Sequence, residues 1–332
     1  MVAKAKGFSL KRLLGFGLIA MLLVAIALGA WVMIGWTGAG PARAPTPVVI
    51  AQGSSMSAAA RSLEQAGVLS SAERFLLQAR LFGSGKPIRA GEYEVAAGAS
   101  PSDLLDMLQN GRTLQRFVVV PEGLPSVMVH DRLMRAPFLT GSVAVPEEGS
   151  VLPDSYSYQR GEARAAVLKR MQDGMTRQLE RLWAARKPGL PVDTKQEVIT
   201  LASIVEKETG KPSERRMVAG VYSNRLRIGM PLQADPTVIY PVTKGRPLGR
   251  RILRSELDRP NGYNTYRMRG LPIGPIANPG KESIAAVLDP EPTKALYFVA
   301  DGTGGHVFAD TLAEHNANVV KWRAIRRARG EM

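Results

Sequence analysis

The chain of 332 residues contains no cysteine and only three histidines. The first absence removes disulfides, thiolate nucleophiles and cysteine-based zinc sites together. His130, His306 and His315 offer no pair at metal-ligand helical spacing, so neither a metal nor any other cofactor is expected. No G-x-S-x-G occurs, and no S-x-x-K in a suitable context, which argues against a serine-type hydrolase. Internal repeats and low-complexity segments are absent as well. Acidic residues are scarce, 29 against 44 Lys and Arg, leaving a formal net charge of +15. Such an excess reads either as affinity for an anionic partner or as a solvated basic surface near a membrane.

What is present begins with a long apolar run. From Leu13 to Trp36 stand 24 residues without a charge. At the helical rise they span about 36 Å, enough to cross a bilayer core of roughly 30 Å. Lys4, Lys6, Lys11 and Arg12 precede the run and one arginine follows closely, an asymmetry that places the N-terminus in the cytoplasm and the remainder outside. A cleaved signal peptide is the competing reading, but its apolar region would be shorter and would lead to a small-x-small site. Trp31 and Trp36 sit where an outer aromatic belt belongs. A chain facing outwards meets no nucleic acid, so none is expected as a partner. Residues 37–47, rich in Gly, Ala and Pro, read as a linker.

Next comes a compact segment with a strand at Val48–Ile50 and a helix opened by Ser54–Ser57 that stops at Gly67. A Ser70–Glu73 capping box opens a second helix, Gly91–Val95 alternates as a strand, and Ser100-Pro101 caps a third helix ended by Asn110-Gly111. This order resembles a LysM-like βααβ module, whose relatives bind N-acetylglucosamine polymers; a plain spacer domain is the alternative. Beyond Arg116 an apolar β run (Phe117–Val120) leads to a long helix over roughly 162–185, with Val167, Met171, Met175, Leu179 and Trp183 as its packed stripe.

The chemistry is expected on the following helix, bounded by a Thr194–Glu197 capping box and by Gly210 with Pro212. Val198, Leu201, Ile204 and Val205 form its apolar stripe, and Glu208 continues it. Burial and a position in the last turn both push a carboxyl towards the protonated form that a general acid needs. Lys207 and Lys211 would oppose this if close, and pairing of Glu208 with a core arginine is the structural alternative. Glu206 lies about 160° around the helix from Glu208, so the two can hardly face one cleft.

LASIVEKET (201–209) is similar to the catalytic-helix motif of the endolytic murein transglycosylases. VYSNRLRIGMPLQADPTVIY (221–240), YNTYRMRGLPIGPIANPG (263–280) and LYFVADGTGGHVFADTLAEHN (296–316) follow in family order. EEGSVLPDSY (147–156) resembles the family too, with Val151 where an aromatic or leucine is commoner. The resemblance implies a catalytic glutamate in the VEKE segment, mapped here to Glu208 with Glu206 as second choice. It also implies endolytic cleavage of peptidoglycan between N-acetylmuramic acid and N-acetylglucosamine, giving 1,6-anhydro-muramyl ends and terminating nascent strands at the membrane, with cell-wall synthases as partners. One carboxyl suffices for this reaction, whereas most glycoside hydrolases use two. A glycan-binding scaffold with a dead site is the rival class; it would need no buried acid.

Polar groups for a sugar cleft are expected from the flanking motifs. Asn224, on the side of its helix with Met217 and Val221, is either a buried orienter or a capped amide. Gln233 and Asp235 precede Pro236, with Asp235 expected first as an N-cap and second as a sugar ligand. Tyr263, Asn264, Thr265 and Tyr266 mix rings with hydrogen-bonding groups, as sugar recognition favours. Asp301–Gly305 is read as a hairpin turn, and His306 and His315 as structural. The expected fold class is α+β. A cytoplasmic tail (1–12), a single N-terminal transmembrane helix (13–36), a linker (37–47) and the LysM-like module (48–115) lead to a mixed α/β catalytic domain (116–332) built around a catalytic helix.

Overall fold

A computed structural model describes residues 10–330 of the chain. The basic flank at Lys4 and Lys6, which orients the apolar helix in the sequence reading, lies outside the described residues. Two compact units divide at Arg116 and Phe117, and the architecture is mixed α+β.

The N-terminal unit opens with α1 (Leu10–Thr37). Its stretch Phe16–Thr37, of mean hydropathy 2.6, is long and apolar enough to cross a membrane. Then follow β1 (Thr46–Ile50), α2 (Met56–Gln65), α3 (Ala72–Phe82), β2 (Gly91–Val95) and α4 (Pro101–Asn110). β1 and β2 pair antiparallel, Val48 opposite Tyr93. Tyr93 and Val95 turn inward onto Leu63, Phe75 and Leu108, but Glu92, between Gly91 and Tyr93, is buried too, so the alternation read in Gly91–Val95 is incomplete. Ser100 caps α4 as its sequence demands, accepting from the Asp103 N–H at 3.2 Å while the Asp103 carboxylate accepts from the Ser100 N–H at 2.9 Å. The cap of α3 falls one residue later than expected, on Ser71, which accepts from the Arg74 N–H.

The stretch 37–47, expected as a linker, is mostly exposed and is pinned to the unit at a few points. Trp36 and Ala42 are 7% and 9% exposed within the unit's core. The Gly40 N–H donates to Gly98, and the Gly98 N–H to Ala42, at 3.2 and 2.7 Å. Small residues here permit close backbone approach: a Cβ on Gly40 would stand 2.2 Å from the Ala99 carbonyl oxygen.

The C-terminal unit contains β3 (Arg116–Val119), α5 (Ser126–Arg135), β4 (Ser155–Tyr158), α6 (Arg164–Ala184), α7 (Lys195–Glu208) and α8 (Arg215–Arg227). It continues with α9 (Asp235–Thr243), α10 (Arg254–Asp258), α11 (Lys281–Leu288), β5 (Tyr297–Ala300), β6 (His306–Ala309) and α12 (Leu312–Ala328). β3 pairs with β4. β5 and β6 form the hairpin expected around Asp301–Gly305, with Phe298 opposite Phe308. α7 runs through the core between α8, α11 and α9. Eight successive residues, Val198 to Val205, are buried. Such a helix is held by tertiary packing on every side, each buried Val, Leu or Ile contributing roughly 1.5–3 kcal/mol. Asn278 joins distant segments. Its Nδ2 donates to the Leu124 carbonyl and the Ser126 hydroxyl at 2.9 and 3.0 Å, and its Oδ1 accepts from the Val151 N–H at 2.9 Å.

Candidate active site

α7 starts where its sequence says. Thr194 Oγ1 accepts from the Glu197 N–H at 3.2 Å and the Glu197 carboxylate accepts from the Thr194 N–H at 2.9 Å. Because the helix is buried all round from Val198 to Val205, the apolar stripe does not separate its two terminal glutamates. Glu206 and Glu208 both surface in the last turn, and their neighbours separate them.

Glu206 is enclosed, with a side chain 6% exposed. One carboxylate oxygen accepts from the Gly280 N–H at 2.9 Å, and the other lies 3.5 Å from the Arg215 guanidinium. Arg215 also donates to Glu122 at 2.9 Å. Burial and then Glu206 raise the pKa of Glu122, and Arg215 opposes them. The Glu122 side chain also crowds Gly280, where a Cβ would stand 2.0 Å from its carboxylate oxygen and displace it.

Glu208 faces a cavity of about 380 Å³. Tyr222 and Arg225 from α8 line it with Leu232; Gln233, Asp235 and Tyr266 form one side, and Tyr297, Phe298, Leu312 and His315 the other. Glu208 keeps a partly exposed edge there, yet protein atoms crowd its carboxyl. Burial, its largest influence, pushes the pKa up to about 7; the Tyr222 hydroxyl and Arg225 act against this, and Asp235 adds to it. The two lysines expected to oppose the shift do not act on it. Lys207 points its ammonium at the Gly123 carbonyl at 3.5 Å, and Lys211 pairs with Glu214 at 3.6 Å. Arg225 takes that part, 7% exposed, and its guanidinium donates to Leu296 and Leu232 at 2.6 Å and to Pro231 at 3.3 Å.

Of the residues expected to bind substrate, Gln233, Asp235 and Tyr266 reach this cavity. Gln233 has φ +53, a left-handed backbone costly for a side chain with a Cβ, and its N–H donates to Thr265 at 3.1 Å. Asp235 is not the N-cap of α9: Ala234 is, and the Asp235 carboxylate accepts from the Tyr266 hydroxyl at 2.6 Å instead. Burial and Asp235 together raise the pKa of the Tyr266 hydroxyl.

The others stand elsewhere. Asn224 donates to the Thr293 and Ala295 carbonyls at 2.8 and 3.1 Å, so its amide ties α8 to the segment before β5. Asn264, fully buried, donates to the Glu256, Leu257 and Arg259 carbonyls and shapes its own loop. The Thr265 hydroxyl lies 2.8 Å from that of Thr237 and accepts from the Ala234 N–H at 3.0 Å. The Tyr263 ring packs 4.8 Å from that of Tyr240, whose hydroxyl donates to the half-buried Glu148 at 3.1 Å.

Sequence reasoning missed Tyr222, Arg225 and Tyr297, and it took His315 as structural. His315 stacks on Tyr297 at 5.2 Å, and its Nδ1 is buried without a hydrogen-bond partner. Burial, then Arg225, lowers its pKa and keeps it neutral. Tyr222 and Arg225 stand three apart on a helix packed against α7, a spacing that puts both on one face. That pairing was the available signal.

A carboxylic acid held near half-protonation at neutral pH, at the floor of an open polar cleft, is the arrangement of a general acid/base. The chain belongs to the YceG-like family, whose model matches residues 48–321. An endolytic murein transglycosylase of Bacillus subtilis is 28% identical over 299 residues, covering 80% of this chain and 82% of the relative. One of Streptococcus pneumoniae is 27% identical over 326 residues, covering 82% of this chain, which spans 58% of that longer protein. A crystal structure of a YceG-like protein from Listeria monocytogenes matches with a TM-score of 0.51 at 28% identity, covering 83% of this chain and 99% of that one.

Proposed function

We propose that the chain is an endolytic murein transglycosylase with Glu208 as its acid and base. The observation that carries this is the Glu208 carboxyl, raised by burial to about 7 and open to the cleft. The names of the bacillary and pneumococcal relatives supply the polymer. Protonated Glu208 donates to the glycosidic oxygen between N-acetylmuramic acid and N-acetylglucosamine, and the C1–O4 bond breaks. The resulting carboxylate, stabilised by the Tyr222 hydroxyl and Arg225, takes the proton from the muramyl 6-hydroxyl. That oxygen closes on C1, leaving a 1,6-anhydro end and an acid ready for the next turnover. No water is consumed. Gln233, Asp235 and Tyr266 bind the sugar on one side, while Asn224, Tyr263, Asn264 and Thr265 hold the scaffold behind them.

Asp235 supports a second reading, since a carboxylate beside the acid is what a hydrolase uses to activate water. Its tie to the Tyr266 hydroxyl at 2.6 Å favours a binding role. Reaction on uncrosslinked glycan in heavy-oxygen water decides between the two. Anhydro-muramyl ends free of label are expected; labelled reducing ends as the main product would replace the lytic assignment with hydrolysis.

In the same reading α1 is a single-pass anchor in the cytoplasmic membrane, with the tail 1–12 inside and the catalytic domain 116–332 outside. The βααβ module 48–115 is LysM-like and holds glycan. The enzyme ends nascent strands beside the synthases that extend them.

A further inference from the structure

Outside α1, the N-terminal unit leaves an apolar row on α3 uncovered. Leu77 and Leu81 on α3 are 60% and 64% exposed, against 43% for Phe82 and 41% for Val49. Four residues apart, they share a face, with Arg74 one turn earlier and Arg80 beside them. A soluble spacer would bury or avoid such a pair.

The place of α3 against α1 accounts for it. The Arg74 guanidinium lies 5.8 Å from the Trp31 ring centroid, Gln78 Nε2 donates to the Val32 carbonyl at 3.1 Å, and Trp36 packs 6.2 and 5.9 Å from Phe75 and Phe82. α3 therefore lies beside residues 31–36 of α1. A bilayer core takes about twenty helical residues. Counted from Leu13 or from Phe16, the core edge on this unit's side falls between Val32 and Gly35, the level at which Gln78 is bonded. Crossing in either direction gives the same level.

Next to that level, a cavity of about 310 Å³ opens among Ile34, Gly38, Ser71, Arg74 and Gln78. Gln78 is 4% exposed, and its Oε1 has no hydrogen-bond partner. An unsatisfied buried acceptor next to an arginine suits a phosphate headgroup that carries an ammonium or hydroxyl donor.

We propose that Trp31, Arg74, Leu77 and Leu81 form a seat on the surface of the membrane that α1 crosses, with α3 lying in the headgroup layer. Leu77 and Leu81 enter the acyl boundary while Arg74 and Arg80 extend to the phosphates, as amphipathic interfacial helices do. The inference rests on the anchor reading above.

The absence of cysteine allows one introduced thiol to be labelled alone. Full-length Leu77→Cys, Leu81→Cys, Val49→Cys and Ile26→Cys variants, each with a polarity-sensitive fluorophore, are placed in nanodiscs of phosphatidylethanolamine and phosphatidylglycerol. Lipids with nitroxide at a shallow acyl position serve as quenchers. Probes at 77 and 81 are expected to be blue-shifted and quenched about threefold more than the probe at 49. If they match the probe at 49 while the probe at 26 is quenched by deep nitroxides, the seat is overturned and the anchor stands. An aqueous probe at 26 removes the anchor reading and the seat with it. Probes at 77 and 81 that are shielded yet unquenched, and only when two chains share a disc, assign the face to a second copy and overturn the proposal.

Discussion

The last turn of α7 carries two glutamates two residues apart, and their surroundings give them opposite work. Glu206 meets a guanidinium and a backbone N–H, and a second carboxylate, Glu122, shares that guanidinium. Its carboxylate is held by both, so it ties α7 to α8 and to the turn before α11. Glu208 meets a tyrosine hydroxyl and a more distant arginine whose hydrogen bonds are spent on carbonyls. Its charge is only partly matched, and its proton is therefore available. Two acids two residues apart on one helix differ because one is tied to a guanidinium and a backbone N–H, whereas the other faces the cleft with its burial only partly offset.

The largest effect that would break this comparison is on turnover. Glu208→Gln should lower kcat about 10²–10⁴-fold with folding intact, the range for loss of a general acid. Glu206→Gln should stay within about tenfold of wild type in the formation of 1,6-anhydro-muramyl ends on purified glycan strands. The reverse order would exchange their roles. Next in size, Arg215→Met should cost roughly 2–4 kcal/mol in urea unfolding, because it leaves Glu206 and Glu122 unmatched. Activity per folded molecule should be unchanged.

A third effect reads the same contrast through stability. The folded pKa of Glu208 lies near 7, above its unfolded value of about 4.5. Its contribution is therefore fully present below about 4.5 and is lost as pH rises through 7. Glu208→Gln should match wild type near pH 4 and exceed it by roughly 1–3 kcal/mol at pH 8, discounted for the partly exposed edge. Equal stability at both pH values would mean that the carboxyl is not held back from ionising. Smallest are two opposed shifts in the alkaline limb of kcat. Asp235→Asn removes a neighbouring negative charge and should move the limb down. Tyr222→Phe removes a donor to the carboxylate and should move it up, each by under about one pH unit.

Much of the fold was legible because its signals are local. The caps at Ser100, Thr194 and Thr311 each satisfy their own helix, and the α7 boundaries follow from them. Glu208 was singled out by the buried stripe, but the helix is buried all round before it, so its cleft-facing surroundings and not the stripe distinguish it from Glu206. Asn224, Asn264 and Thr265 misled, because a polar side chain near a motif reads the same whether it bonds sugar or distant backbone. The backbone bonds that pin residues 37–47 were not legible for a related reason: Gly and Ala permit a flexible chain and close packing equally. Tyr222, Arg225 and His315 stayed hidden because the cleft assembles from α8, α12 and β5, far apart in sequence.

Asn278 carries a consequence for the order in which the chain is made. It completes bonds to Leu124, Ser126 and Val151 across 154, 152 and 127 positions. A ribosome adds roughly 5–20 residues per second, so Leu124 is synthesised about 8–30 s before the amide it requires. The Leu124 carbonyl and the Val151 N–H therefore wait for a partner that only synthesis through Asn278 supplies, and a pause between Val151 and Asn278 prolongs that wait.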